Sequence, residues 1–435
     1  MSAASDLLAG ALCGDDHRIV LVHHGREITL GEFRLEISDF AQGLAHHLQA
    51  GDLLAIDLPN GPAILALLLA CFRTGIVPMP VSPALKWPEL KQILDRARPK
   101  GLITHRTISG DQREALGACV RNVWLMQPAD SPIPVPPGPP LPITTPSTDP
   151  ERLALVLHTS GSTGLPKGVM LANRSLKHIL QYRLDHCELG PDSVSVVASC
   201  VSQSVGLYQC LALLAAGAKI VLLDSYELEI MVEAVKQHSP SHLVMVVGAW
   251  DQLLHHPAIN AHSLRRLRFA SAGADQLTAR VQRRSVALTG RSLRSSYGLT
   301  ESSWAIINSS MEPGNALALG KPSPGVDIRL LNNEGDVVTP GAVGQIHIRS
   351  PRNLLGYLHD ASATQAILND GWLVTGDLAR QDHDGVYWFV GRCKDMIVLS
   401  TGDNVSPAEV EAVLCTHPAV KACLVTGRRS SKGSL

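Results

Sequence analysis

A loop rich in Gly, Ser and Thr, placed between two apolar runs, limits the folds open to this sequence more than any other stretch of it. Residues 159–168 read Thr-Ser-Gly-Ser-Thr-Gly-Leu-Pro-Lys-Gly. The flanking apolar runs predict buried strands. Glycines let backbone amides turn inward, the hydroxyls add donors, and Lys167 supplies a mobile positive charge. This composition predicts a phosphate-binding loop.

The Walker A loop is the first alternative, because it also places a lysine in a glycine-rich turn. That loop requires Gly-Lys-Ser/Thr at the start of a helix. Here Pro166 precedes Lys167 and Gly168 follows it, so the Walker pattern is absent. A flexible surface turn explains Gly-Ser-Thr-Gly alone but not the full string.

The complete loop resembles the signature loop of the acyl-adenylate-forming (AMP-binding) enzyme superfamily, which includes acyl-CoA and aryl-CoA synthetases, peptide-synthetase adenylation domains and luciferase. Three further stretches resemble motifs of this family, in the family's order. Residues 295–301 (Ser-Ser-Tyr-Gly-Leu-Thr-Glu) resemble Tyr-Gly-x-Thr-Glu, residues 371–377 resemble Trp-x-x-Thr-Gly-Asp, and residues 391–411 resemble the junction of the large and small domains. The region before residue 150 resembles the family only in general pattern.

The resemblance implies a nucleotide site with ATP and Mg²⁺ as cofactors. The nucleotide-binding residues it implies are Thr159, Ser160, Gly161, Ser162, Thr163, Gly164, Lys167, Gly273, Ala274, Tyr297, Gly298, Thr300, Asp377 and Arg392. Lys167, Thr300 and Glu301 are the implied catalytic residues, with Glu301 as the metal ligand. These types suit their roles, since a ring stacks on a base, a hydroxyl donates to a phosphoryl oxygen and a carboxylate is a hard ligand for magnesium.

The position of this site along the strands is also predicted. Residues 293–295 read as a strand, so that residues 295–301 follow its carboxyl end. We therefore expect Tyr297, Glu301 and Asp377 to lie at strand ends and in loops.

The acyl-binding residues are predicted to be Gln203, Val247, Gly248 and Gly273. The family commonly shows Phe-His-x-x-Gly or, in amino-acid-activating members, Phe-Asp-x-Ser, but here the sequence is Ser202-Gln203-Ser204-Val205-Gly206. An α-ammonium group buried without the missing Asp would cost several kcal/mol, on the order of the penalty for an unpaired buried charge. The substrate is predicted to be an acyl or aryl acid that is not an α-amino acid, and the neutral Gln203 suits a polar one.

Alternating strand and helix patterns run through most of the chain. They predict an α/β fold with two doubly wound, mostly parallel sheets flanked by helices. From residue 321 to about 390 the pattern becomes strand, turn, strand, which predicts an antiparallel β subdomain. The predicted domains are a large domain at 1–393, containing a Pro-rich connector at 127–150, and a partial α+β C-terminal domain at 394–435.

Composition excludes several classes of protein. The net charge is −1, so nothing indicates a nucleic-acid surface. The nine cysteines include no Cys-x-x-Cys pair, and the start lacks a signal peptide. We expect a cytoplasmic protein without a membrane span, because the apolar run at 63–72 is too short to cross a bilayer.

The predicted activity is ATP-dependent activation of a carboxylic acid to acyl-AMP with release of pyrophosphate, by an acid–thiol ligase. Coenzyme A, or the phosphopantetheine of an acyl carrier protein, is the implied thiol acceptor. Lys394 is the implied hinge between the half-reactions. Only 41 residues follow Lys394, too few for the family's small domain with its distal lysine. The alternative is thus a catalytically weakened ATP- or AMP-binding scaffold, although Lys167, Thr300, Glu301 and Asp377 are intact.

Overall fold

The fold is known from a computed structural model, which describes residues 4–117, 119–126, 149–159, 166–273, 275, 277–309, 318–398, 404–414, 417, 420 and 423–427. The phosphate-loop residues Ser160, Gly161, Ser162, Thr163 and Gly164 lie outside the described residues, as does Ala274. So does the predicted Pro-rich connector, apart from its last two positions.

The first part of the chain is a helix and a β-hairpin followed by strands and helices in alternation. A capping box between Thr29 and Glu32 starts the second helix, as the sequence predicts. Pro62 opens the third helix, and Gly75 ends it at a φ of +72°. The elements are α1 (Ala4–Ala11), β1 (Ile19–His23), β2 (Arg26–Thr29), α2 (Leu30–His47), β3 (Leu53–Asp57), α3 (Pro62–Thr74), β4 (Val77–Pro80), α4 (Trp87–Ala97), β5 (Gly101–Thr104), α5 (Gly110–Gly117) and β6 (Asn122–Leu125).

A small parallel sheet forms from this region, with strand order β4-β3-β5-β6. It is the first predicted doubly wound sheet. The N-terminal hairpin is not part of it, because β1 pairs in parallel with a strand some 200 residues later along the chain.

The next elements flank the phosphate loop and then resume the alternation. They are β7 (Leu153–Thr159), β8 (Lys167–Ala172), α6 (Asn173–His186), β9 (Val194–Val197), α7 (Ser204–Ala215), β10 (Lys219–Leu222), α8 (Leu228–His238), β11 (His242–Val246), α9 (Val247–His255), β12 (Phe269–Gly273), α10 (Ala279–Thr289), β13 (Arg294–Leu299) and β14 (Ser303–Asn308). The two apolar runs around the loop are antiparallel neighbours, with Thr159 opposite Lys167.

The remaining elements form the antiparallel region and the start of the C-terminal part. They are β15 (Ala318–Pro322), β16 (Asp327–Leu331), β17 (Val343–Arg349), β18 (Gly356–Tyr357), α11 (Ala361–Ile367), β19 (Leu368–Asn369), β20 (Trp372–Gln381), β21 (Tyr387–Arg392), β22 (Ile397–Val398), β23 (Asn404–Val405) and α12 (Pro407–Leu414). Strand β18 completes a three-stranded sheet of order β18-β8-β7.

The second predicted sheet and the antiparallel region are one continuous structure. A 14-stranded sheet runs β16-β17-β20-β21-β15-β14-β13-β12-β11-β9-β10-β1-β2, with β19 against β20. Strands β1, β10, β9, β11, β12 and β13 are parallel, and the pairs from β13 to β16 are antiparallel. The predicted fold class is confirmed, with the addition that β15 joins the two regions.

Strand β13 corrects the prediction that a strand ends at Ser295. It continues to Leu299, because β14 pairs with it in antiparallel fashion and satisfies its backbone, Tyr297 lying opposite Ile306. Tyr297 and Gly298 therefore lie within a strand. A Cβ at Gly298 would lie 2.0 Å from the carbonyl oxygen of Ser303, so the pairing requires glycine here.

Apolar side chains fill the space between these layers. Helices α3 and α7 are buried along most of their length, which matches their nearly unbroken apolar sequences. No helix in the part of the chain that the structure describes combines the length and hydropathy needed to cross a membrane.

Candidate active site

The carboxyl ends of several parallel strands meet at one edge of the large sheet. Gly273, the last residue of β12, is paired with Val246 at the end of β11 and with Ser296 of β13. Strand β10, which follows β9 along the chain, lies on one side of β9 in the sheet, and β11 lies on the other side. A crevice outside the strand ends at such a reversal is where open α/β sheets bind ligands.

Three residues that the sequence places far apart come together beside this edge. The hydroxyl of Tyr297 donates to Oδ2 of Asp377 over 2.7 Å, and Nε of Arg392 lies 3.3 Å from Oδ1 of the same carboxylate. Asp377 and Arg392 are cross-strand partners on β20 and β21. The ring and the two charged groups that the resemblance assigns to the nucleotide therefore form one cluster.

Burial controls the electrostatics of this cluster. Asp377 is only 3% exposed, and burial raises the pKa of its carboxyl although Tyr297 and Arg392 both lower it. Burial, followed by the Asp377 charge, holds the pKa of Tyr297 well above its usual value. The Tyr297 phenol therefore remains a hydrogen-bond donor across the physiological pH range.

A second cluster contains the predicted metal ligand. Glu301 follows β13 and is buried, and its Oε1 accepts a hydrogen bond of 2.8 Å from the hydroxyl of Tyr357 on β18. Nζ of Lys167 lies over the Tyr357 ring, 4.9 Å from its centre. Tyr357 thus links the end of the phosphate loop to the carboxylate. Burial, then the Glu301 charge, raises the pKa of Tyr357, so this phenol also stays a donor.

The predicted acyl segment adjoins the same strand. Oγ1 of Thr300 donates to Oγ of Ser204 over 3.4 Å. Gln203, the N-cap of α7, precedes Ser204 with an exposed side chain. A Cβ at Gly206 would lie 2.3 Å from the carbonyl oxygen of Cys200, so glycine permits this segment to pack closely at the start of the helix.

A cavity of about 450 Å³ lies beside the phosphate loop. Lys167, Tyr357 and His158 are among its lining residues. Nδ1 of His158 has no hydrogen-bond partner among the described residues, and burial lowers the pKa of this imidazole to about 4. His158 is therefore neutral at physiological pH, and Lys167, Arg96 and Arg98 are the cations among the described residues that line the cavity.

The other predicted residues have the following positions. Val247 and Gly248 begin α9, directly after the end of β11, and Gly248 is exposed. Lys394 lies in an exposed 3₁₀ turn, Cys393–Asp395, after β21. Asp377 lies inside β20 rather than in a loop, which corrects the prediction that the nucleotide residues occupy loops and strand ends. Glu301 does lie between two strands.

Sequence reasoning missed Tyr357, His158 and Ser204. Tyr357 has only a weak signal, since the chain contains six tyrosines in all and an isolated tyrosine carries no spacing pattern. Its role appears only when β18 pairs with β8 beside Lys167.

The donor set suits Mg²⁺ and ATP. Glu301 offers a buried carboxylate with one oxygen held by a phenol, and a carboxylate is a hard ligand of the kind that magnesium takes. Asp377 offers a carboxylate suited to a vicinal diol, next to the aromatic ring of Tyr297. Lys167 would face phosphate oxygens at the end of its loop.

Comparison with known proteins agrees with this geometry. The family model described as AMP-binding enzyme matches residues 13–358, and the model of the AMP-binding enzyme C-terminal domain matches residues 394–435. The chain belongs to the AMP-binding enzyme family. This AMP-binding enzyme is an AMP-forming acid–thiol ligase that uses ATP and Mg²⁺.

Individual relatives are similar over nearly the whole chain. A feruloyl-CoA synthase of Amycolatopsis sp is 31% identical over 421 residues, which cover 94% of this chain and 82% of the relative. The fatty acid–[acyl-carrier-protein] ligase ScoC of Streptomyces coeruleorubidus is 27% identical, over 93% of this chain and 79% of the relative. The crystal structure of ATP-bound MatB from Rhodopseudomonas palustris superposes with a TM-score of 0.89 at 25% identity, covering 100% of this chain and 87% of that chain.

Proposed function

We propose that this AMP-binding enzyme activates an acyl or aryl carboxylic acid without an α-amino group and passes it to coenzyme A or to the phosphopantetheine of an acyl carrier protein. The observation that carries the site assignment is the cluster of Tyr297, Asp377 and Arg392 beside the carboxyl ends of β12 and β13. It gives the chain a buried carboxylate and a ring where the nucleoside of ATP would bind.

The proposed reaction begins with in-line attack. A carboxylate oxygen of the acid forms a bond to the α-phosphorus of ATP, and the bond from that phosphorus to the bridging oxygen breaks, so that pyrophosphate leaves. Lys167 would balance charge on the departing phosphates, and the hydroxyl of Thr300 would donate to an α-phosphoryl oxygen. Glu301 would hold Mg²⁺, which when bound would neutralise phosphate charge.

The second half-reaction transfers the acyl group. The thiol sulfur bonds to the carbonyl carbon, the mixed anhydride releases AMP, and the thiol proton leaves to solvent or a base. Lys394, in its exposed turn after β21, would be the hinge that exchanges the two half-reactions. The described cysteines are all free thiols, which supports a cytoplasmic location as part of the proposal.

The substrate class rests on the segment before α7. Gln203 stands where amino-acid-activating relatives of the family carry an aspartate, and a neutral amide does not neutralise an ammonium group. The relatives named as feruloyl-CoA synthase and fatty acid ligase take acids without an α-amino group, which supports the same class here.

A panel assay of pyrophosphate exchange into ATP tests the proposal. The most informative pair is 3-phenylpropanoate and phenylalanine, because they differ only by the α-amino group. We expect exchange with acids of the first kind and none with the second. Exchange driven by an α-amino acid would contradict the substrate class. AMP binding without exchange for any acid in a broad panel would instead favour the non-catalytic scaffold.

A further inference from the structure

Two consecutive histidines, His23 and His24, lie at a tight turn and belong to neither of the clusters described above. Strands β1 and β2 are joined by the two-residue loop His24-Gly25, with φ of +48° and +74°. Positive φ at both positions is typical of the type I′ turn, which matches the twist of the flanking strands. The turn places the rings of His23 and His24 4.2 Å apart, measured between their centres.

A carboxylate faces both rings across the sheet. Asp224 follows β10, the parallel neighbour of β1, so the ends of the two strands lie side by side. Oδ1 of Asp224 is 3.2 Å from Nε2 of His24 and 3.5 Å from Nε2 of His23. All three ligand atoms lie within 4.8 Å of one another.

These distances match those required around a small metal ion. Bonds of about 2.0–2.1 Å in tetrahedral geometry place neighbouring ligand atoms about 3.3–3.4 Å apart. The two separations from Asp224 to the histidines are within roughly 0.2 Å of that value. The ligand nitrogens of the two histidines lie within 4.8 Å of each other, and binding of one ion would place them about 3.4 Å apart.

His23 is also oriented as metal-binding histidines usually are. Its Nδ1 lies 3.0 Å from the carbonyl oxygen of Leu222. A carbonyl can only accept, so the proton is on Nδ1 and the lone pair of Nε2 is free to face Asp224. A backbone carbonyl that fixes the tautomer in this way is a common partner of metal-ligating histidines.

The surroundings favour a cation. A groove of about 430 Å³ adjoins the three residues, and its lining includes the carboxylates of Glu227, Glu229 and Glu233. None of the described residues that line it is a lysine or an arginine. Glu233 is paired with Lys236, and Glu229 with His256. The other two carboxylates of the groove belong to Asp224 and Glu227.

We propose that His23, His24 and Asp224 form a binding site for a divalent transition metal, with zinc as the representative ion and water completing its coordination. Two imidazoles and one carboxylate are the ligands that zinc, cobalt and nickel accept, whereas magnesium prefers an all-oxygen set. The bound ion would connect the β1–β2 turn to the segment that follows the carboxyl end of β10. This site shares no residue with the proposed magnesium position at Glu301.

Titration of the chelator-treated full chain with zinc chloride, followed by calorimetry, tests the site. His24→Asn removes an imidazole while keeping a residue that tolerates the left-handed turn, and Asp224→Asn removes the charge from an exposed side chain. His262→Gln changes an exposed histidine elsewhere and is the matched control. We expect one zinc ion per wild-type chain, binding at least tenfold weaker in both variants, and wild-type affinity in the control.

Two further measurements distinguish this site from others. Zinc should raise the melting temperature of the wild-type chain and of the control but not of the two variants. Cobalt in the site should show visible absorption without the near-ultraviolet thiolate band that cysteine ligands produce. Absence of binding, equal affinity in all four proteins, or a thiolate band would overturn the proposal. Urea unfolding of each variant shows whether it remains folded.

Discussion

Asp377→Asn is the most direct test of the nucleotide cluster, because it removes a charge and changes little else. In the structure Oδ2 accepts from Tyr297 at 2.7 Å, and Oδ1 faces Nε of Arg392 at 3.3 Å. An asparagine keeps one acceptor for Tyr297, but its amide then points donors toward Arg392. The ribose hydroxyls would lose a charged acceptor and meet a neutral one that is already in use.

The magnitude follows from the type of hydrogen bond lost. Bonds to a charged group contribute about 1.5–3 kcal/mol, and bonds between neutral groups contribute about 0.5–1.5 kcal/mol. Replacing two of the former by one of the latter, with partial compensation by water, gives a loss of about 1–3 kcal/mol in AMP binding. This corresponds to an AMP dissociation constant about 5- to 150-fold higher.

Isothermal titration calorimetry with AMP measures this change. Asp384→Asn is the matched control, since Asp384 is an exposed carboxylate in the turn between β20 and β21, and we expect it to bind AMP like the wild type. Tyr297→Phe should weaken binding less than tenfold, because the ring remains. If Asp377→Asn folds normally and its AMP affinity equals that of the wild type, the ribose role of Asp377 is wrong.

Three other predictions follow from contacts in the structure. First, burial raises the pKa of Asp377, so the folded chain favours the neutral carboxyl. The contribution of this carboxyl to folding stability is therefore fully present below its unfolded pKa and is lost as the pH rises through its folded pKa. AMP binding needs the ionised carboxylate, so on acidification the AMP dissociation constant should begin to increase at a higher pH than it would for an aspartate of ordinary pKa. Asp377→Asn should lack this pH dependence when AMP binding is measured by calorimetry. Second, Glu301→Gln should lower the pyrophosphate exchange rate about 100-fold, by analogy with loss of one preorganised charge contact. Tyr357→Phe removes a hydrogen bond that supports Glu301, so it should raise the magnesium concentration for half-maximal exchange by about tenfold. If both variants show the exchange kinetics of the wild type across a magnesium titration, both roles are wrong. Third, Asp57 is fully buried and accepts two hydrogen bonds from Arg106. Asp57→Ala should lower the free energy of unfolding, measured with urea, by about 3 kcal/mol because Arg106 then lacks its carboxylate. A loss below about 1 kcal/mol would show that water replaces the missing carboxylate.

Local sequence predicted most elements of this chain and its candidate site residues. Thr29, Glu32, Pro62 and Gly75 fix helix ends through the conformation and contacts of residues close to them in the chain. The family loop and its three companion stretches likewise depend on residue types at short spacing. Such signals can be read directly because each one is contained in a single stretch of chain.

Tertiary structure alone decided which of these stretches meet. The pairing of β1 with β10 brings residues 199 positions apart into contact, and no periodicity specifies it, since any apolar strand of suitable length satisfies the same edge. The extension of β13 through Tyr297 depends on β14, and the role of Tyr357 depends on β18 lying against β8. Long-range strand pairing is decided by competition among many similar apolar surfaces, and the winning arrangement is the one that buries them together while satisfying every backbone hydrogen bond. For that reason the sequence predicted roles for Asp377 and Glu301, while the contacts that these two carboxylates make became known only from the folded sheet.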